Sequence, residues 1–125
     1  MSTFSVSVFL NFHPMGAKEL EKKFQTTLAE LKKRYPRFVD AFHKFFETAE
    51  GEGVLDRKTK ELISVALAVK SQCPYCIAFH VKNALSLGAT ESEILESAYL
   101  AVLMGGGPAL AYMGYVFDAL KAFKK

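Results

Sequence analysis

Two cysteines, a histidine and a glutamate carry the most suggestive chemistry in this chain: Glu61, eleven residues, Cys73-Pro74-Tyr75-Cys76, three residues, then His80. No other cysteine occurs. The pair sits at what reads as the start of a helix, whose unpaired N–H groups and partial positive charge favour a thiolate over a thiol. Cys76 and His80 are four residues apart and share one helical face, and Cys73, three residues before Cys76, joins them. A dithiol beside an imidazole is what a redox catalyst needs. Two other readings use the same residues. Free cysteines also serve as inert small hydrophobes, and Cys-x2-Cys-x3-His supplies three soft zinc ligands. A structural zinc needs a fourth ligand, for which only His13, His43 or Glu61 stands out, and no second paired motif exists. The spacing favours redox chemistry, with zinc binding or a vestigial site in an oligomeric protein as the alternatives.

Glu61 joins the site only if the chain brings it there. Along one continuous helix, twelve residues would separate it from Cys73 by roughly 18 Å. A turn at Ser71-Gln72 changes this. If the two flanking helices fold back antiparallel, residues equidistant from about position 72 lie side by side, and Glu61 reaches the level of His80 to Asn83. A carboxylate there could orient His80 as the base for Cys76, the logic of an activated nucleophile. The plainer reading makes Glu61 an exposed charge beside Lys58 and Lys60.

The elements that would position these residues are all helical. The stripe Leu20, Phe24, Leu28 and Leu31 predicts a helix from Ala17 to Arg34, ended by Tyr35-Pro36. Pro36 suits the first turn of a second helix to about Ala49, whose Phe38, Phe42, Phe45 and Phe46 read as core. Glu50-Gly51-Glu52-Gly53 reads as a loop. Asp56 caps a third helix, Arg57 to Lys70, with Leu62, Ile63, Val65, Ala66 and Val69 inside. Pro74 opens a fourth helix, which runs to Leu87 with Gly88 as its C-terminal cap. Thr90 and Glu93 form a capping box for a fifth. A last helix follows Pro108. Only residues 4–12 alternate as a strand would, and a lone strand has no partner, so residues 1–16 are expected to be an extended arm. The fold class is all-α, a bundle of about six helices, which excludes a thioredoxin fold.

At 125 residues the chain is long enough for a single domain with its own core, taken as residues 1–125. The charge is only +3, and its longest basic run, Lys32-Lys33-Arg34, is too short for a nucleic-acid-binding arm. Met1-Ser2-Thr3 lacks the basic residues of a secretory leader, so a cytoplasmic location is expected. Ala98 to Phe117 is twenty residues without a charge, the length of a membrane span. Gly105-Gly106-Gly107-Pro108 would break it in the middle, and two helices meeting at a glycine turn are expected instead. Half of all residues are hydrophobic and eleven are phenylalanine, more than one small domain hides. A homo-oligomer is expected, with no membrane and no nucleic acid among the partners.

Three segments together resemble a known family. They are Leu55-Asp56-Arg57-Lys58-Thr59-Lys60-Glu61-Leu62-Ile63, then Cys73-x2-Cys76-x3-His80, then Gly88-Ala89-Thr90-Glu91-Ser92-Glu93-Ile94. Over about residues 36 to 120 the chain resembles the alkylhydroperoxidase D-like proteins of the carboxymuconolactone decarboxylase superfamily. The resemblance implies an all-α bundle assembled as a hexamer, or else a trimer. It implies that Cys76 is the peroxide-attacking thiolate, that Cys73 resolves it as a disulfide, and that Glu61 and His80 relay the proton. A peroxide and a thiol or dithiol electron donor would be the partners, with no cofactor. The spacing of Cα atoms at i and i+3, near 5 Å, allows such a disulfide. One departure stands out: peroxidases of this family carry a histidine between the cysteines, and here the intervening pair is Pro74-Tyr75. That points to a weak peroxidase, or to disulfide exchange as the natural role. The superfamily's lactone decarboxylases act without a dithiol, so the CxxC pair argues against that activity.

Overall fold

The computed structural model describes residues 15–125, which form six helices and, among the described residues, no strand. In chain order these are α1 Ala17–Arg34, α2 Pro36–Glu50, α3 Arg57–Lys70, α4 Pro74–Ser86, α5 Glu91–Tyr99 and α6 Ala101–Phe123. The protein is all-α. The alternating segment at residues 4–12 lies outside the described residues.

Local chemistry sets most of the boundaries. Asp56 accepts the Thr59 N–H at 2.8 Å and opens α3. This hydrogen bond, first through the Thr59 side chain and then its backbone, holds the Asp56 carboxyl below its ordinary range. Thr90 and Glu93 close a reciprocal capping box at α5. Both ends of the α3–α4 pair are terminated alike. Cys73 N–H donates to Ala68 and Gln72 N–H to Val69, while Ala89 N–H donates to Ala84 and Gly88 N–H to Leu85. Each is a Schellman motif with a left-handed residue beyond the helix end: Gln72 at φ 54 and Gly88 at φ 88. The first of these motifs fixes where Cys73 leaves α3.

The core lies between α3, α4, α5 and α6, with α1 closing one side. Val65, Val69, Ile77, Val81, Ile94 and Val116 have no exposed surface. Burying each stabilises the fold by roughly 1.5–3 kcal/mol. Alanines fill many of the remaining buried places, including Ala68, Ala78, Ala84, Ala98, Ala109 and Ala119. Small side chains let these helices approach closely.

Several expectations are corrected. Glu50 is the last residue of α2, not part of the loop after it. The phenylalanine stripe of α2 is not core: Val39 is the residue α2 buries, while Phe38, Phe42 and Phe45 are exposed. Ile63 is exposed as well, whereas Glu61 is buried, at 4% exposure. The uncharged run breaks twice. α5 and α6 meet at a 100° bend at Leu100, and Gly106 interrupts α6 at φ 60, ψ −149. The expected meeting of two helices at the glycines holds: α6 is two helical segments joined by a kink at Gly106, and Pro108 is tolerated at the start of the second because the helix is already broken there. No single helix among the described residues is long and apolar enough to cross a membrane.

Candidate functional site

Pro74 and Cys73 set the geometry of the dithiol. Pro74 occupies the first position of α4, where its missing N–H costs nothing. Cys73 is the N-cap residue, and its Sγ accepts the Cys76 backbone N–H at 3.1 Å. The two sulfurs are joined in a disulfide, with Cα atoms 5.2 Å apart. The first helical turn thus holds both sulfurs together at a helix N-terminus, where the backbone stabilises negative charge on either.

One turn further along α4, His80 Nδ1 lies 2.8 Å from Glu61 Oε2. The fold-back across the Ser71-Gln72 turn brings these two together as the spacing predicted. A carboxylate can only accept, so Nδ1 carries the hydrogen and Nε2 is left as the ring's acceptor. The Glu61 side chain is 5% exposed and that of His80 is 14%. The ring is gripped on its faces and edge. Phe46 of α2 stacks on it at 6.3 Å and 22°, and Phe79 meets it edge-on at 5.1 Å.

Cys76 and His80 open into one cavity of about 410 Å³. Its walls are Phe24 and Leu28 of α1, Phe42 and Phe46 of α2, and Tyr75 and Phe79 of α4. Gln25, His43 and Glu47 supply its polar margin. Phe42 and Phe46 of the α2 stripe thus form part of an apolar chamber over Cys76 and His80, while Phe38 and Phe45 lie outside it.

A further residue, absent from the motif, belongs to this cluster. Glu50, at the end of α2, has a carboxylate oxygen within 4.8 Å of ligand atoms of Glu61 and His80. Ser64 of α3 donates to Glu50 Oε1 at 2.8 Å. Glu50 Oε2 is buried and has no hydrogen-bond donor facing it. Burial pushes the Glu50 carboxyl above its ordinary range and the Glu61 carboxylate adds to this, while the Ser64 hydroxyl and His80 pull the other way. Glu50 was hidden in the sequence because it read as loop. Reflection of the chain about the 51–56 connection would have brought it near Glu61.

Of the residues a zinc site would use, His80 is engaged by Glu61. The cysteine sulfurs are bonded to each other. His43 lines the cavity but stands outside the Glu50–Glu61–His80 group, the one cluster of ligand-capable atoms close enough to share an ion among the described residues. His13 lies outside the described residues.

The chain belongs to the carboxymuconolactone decarboxylase family, whose model matches residues 36–121. Its fold is similar to a family member from Legionella pneumophila, with TM-score 0.83 and 42% identity over 87% of this chain and 97% of that one. A Thermotoga maritima member, described as a candidate for a part in an antioxidative response, aligns with TM-score 0.72 and 25% identity over 80% and 86% of the two chains. Uncharacterized protein 4 in the cox locus of Paracoccus denitrificans is 39% identical over 72% of this chain and 81% of its own.

Proposed function

We propose that the protein is a dithiol-dependent hydroperoxide reductase and disulfide oxidoreductase. The observation that carries this reading is the buried Glu61–His80 pair at 2.8 Å, beneath a cavity that also holds Cys76. In the reduced protein, His80 takes the proton of the Cys76 thiol, with Glu61 orienting the ring and stabilising the imidazolium. The thiolate attacks the terminal oxygen of the hydroperoxide and the O–O bond breaks. Cys76 becomes a sulfenic acid, and the departing alkoxide takes the proton back from His80 to leave as an alcohol. The Cys73 thiol then displaces water from that sulfenic acid, which closes the disulfide. An external thiol or dithiol returns two electrons and two protons. The Cα separation of 5.2 Å supports the resolving role, since it falls within the range disulfides adopt. Such a donor is abundant in a reducing cytoplasm, the compartment this reading implies.

The test is peroxide consumption coupled to a dithiol donor, with intact-mass analysis of each state. Peroxide should convert the reduced protein to a form two hydrogens lighter, without cross-linked dimers. Cys76→Ser should abolish consumption, and Cys73→Ser should let a sulfenic acid accumulate that a specific reagent traps at Cys76. Free thiols after peroxide would sink the reading. Turnover retained in Cys76→Ser, with the label on Cys73, would reverse the two roles.

A further inference from the structure

Glu50 Oε2 poses a problem that hydrogen bonding alone leaves unsolved. Its partner oxygen accepts from Ser64, but Oε2 is buried with no donor facing it. The group across from it is another carboxylate, Glu61, which already accepts from His80. Glu61 is buried and so is the Glu50 Oε2 atom, although the rest of Glu50 is only half-buried. Two ionised carboxylates at this range repel, and a buried acceptor without a donor adds its own desolvation cost. Lys60 does not relieve this, because its ammonium is engaged by the carbonyls of Ala49 and Gly51. The remaining groups turned toward Glu50 are Ser64 and Glu61 of α3 and His80 of α4.

We propose that Glu50 is a positioning residue of the relay: it keeps a proton on Oε2 and donates it to Glu61, and so fixes that carboxylate against His80. The proposal rests on the peroxidase reading for its purpose, though not for its chemistry. One proton on Glu50 satisfies every polar atom of the cluster. Oε1 accepts from Ser64, Oε2–H donates to Glu61, and Glu61 accepts from both Glu50 and His80. A single negative charge is then left on the pair, held on Glu61. During thiol activation the proton moves from Cys76 to His80, Glu61 stabilises the cation it creates, and Glu50 keeps its own proton throughout. The raised affinity of Glu50 for its proton agrees with this arrangement. The sign follows: the neutral acid is present below its raised pKa, and the arrangement is lost as pH climbs through it.

The experiment compares wild type, Glu50→Gln and Glu50→Ala on the full chain. Infrared difference spectroscopy at neutral pH should show the C=O stretch of a protonated carboxyl in wild type, absent from both variants. That readout needs no peroxide, so it stands or falls apart from the enzymatic reading. Glu50→Ala should slow peroxide turnover about tenfold. Glu50→Gln, whose amide still donates but cannot ionise, should recover most of the loss and remove the alkaline fall in rate that the proposal predicts for wild type. Absence of the carboxyl band overturns the proposal. So does a Gln variant as slow as the Ala variant, which would mean that an ionised Glu50 is required. Titration with Zn²⁺ or Mn²⁺ provides the last check: one equivalent bound by wild type and none by Glu50→Gln would make the cluster a metal site, and the proposal would fail.

Discussion

His80 cannot act as a base unless one ring nitrogen is committed and the other is free, and Glu61 commits Nδ1. Glu61→Gln should therefore harm the site even though the side chain keeps its shape. An amide turned with its NH2 group toward Nδ1 would stabilise the opposite tautomer, and the stabilising charge is lost in either orientation. We expect roughly 10²-fold slower peroxide turnover in Glu61→Gln and in His80→Ala. The pH profile of Cys76 alkylation in the reduced protein should move to higher pH in both. Unchanged alkylation profiles would remove the relay from the mechanism. Most of this constellation was legible in the sequence, because fold-back about the Ser71-Gln72 turn is a matter of counting and Glu61 lands opposite His80. What was not legible is the burial. Glu61 lies between Lys60 and Leu62 on a helix that also carries Arg57 and Lys58, and nothing local separates a buried carboxylate there from a solvated one. Glu50 was missed for a related reason. Its place depends on how the end of α2 meets α3 across the 51–56 connection, a tertiary fact.

At the level of elements, helix starts and stops were read well where a cap or a breaker dictates them, as at Asp56, Thr90, Pro74 and Gly88. Faces were read poorly where a stripe of one residue type could serve two ends. Phe42 and Phe46 have core spacing, yet they line a cavity, because α2 packs little of itself against the bundle and turns the rest over α4. The turn that delivers Cys73 makes a distinct prediction. Gln72 holds φ 54 at the left-handed position of its Schellman motif, a conformation that costs an L-residue roughly 1–2 kcal/mol and glycine almost nothing. Gln72→Gly should raise stability by about 1 kcal/mol in chemical denaturation, after the extra freedom of glycine in the unfolded chain is allowed for. The dithiol should form its disulfide as before. Destabilisation by the same amount would show that the Gln72 side chain, not its backbone, holds the turn.

The whole molecule carries more apolar surface than its interior can absorb. Leu103 is 78% exposed, Met104 82% and Leu110 60%, all on α6 beside the break at Gly106, and Leu100 and Phe117 extend the patch. Isolated exposed leucines are ordinary, but five large exposed apolar residues on one bent segment are the kind of surface a second copy of the chain would cover, in keeping with the homo-oligomer expected from the sequence. Interfaces between permanent partners resemble a core cut in half, and closed symmetry is the usual way for identical chains to supply one. The family resemblance implies a hexamer, so sedimentation equilibrium at micromolar concentration should give a mass six times that of the 13.9 kDa chain. Leu103→Glu combined with Met104→Glu should lower that mass while circular dichroism keeps the helical signal, because neither side chain belongs to the core. A trimer would keep the covering of this apolar surface and correct the stoichiometry. A stable wild-type monomer would show that this surface is left for something other than a second copy of the chain.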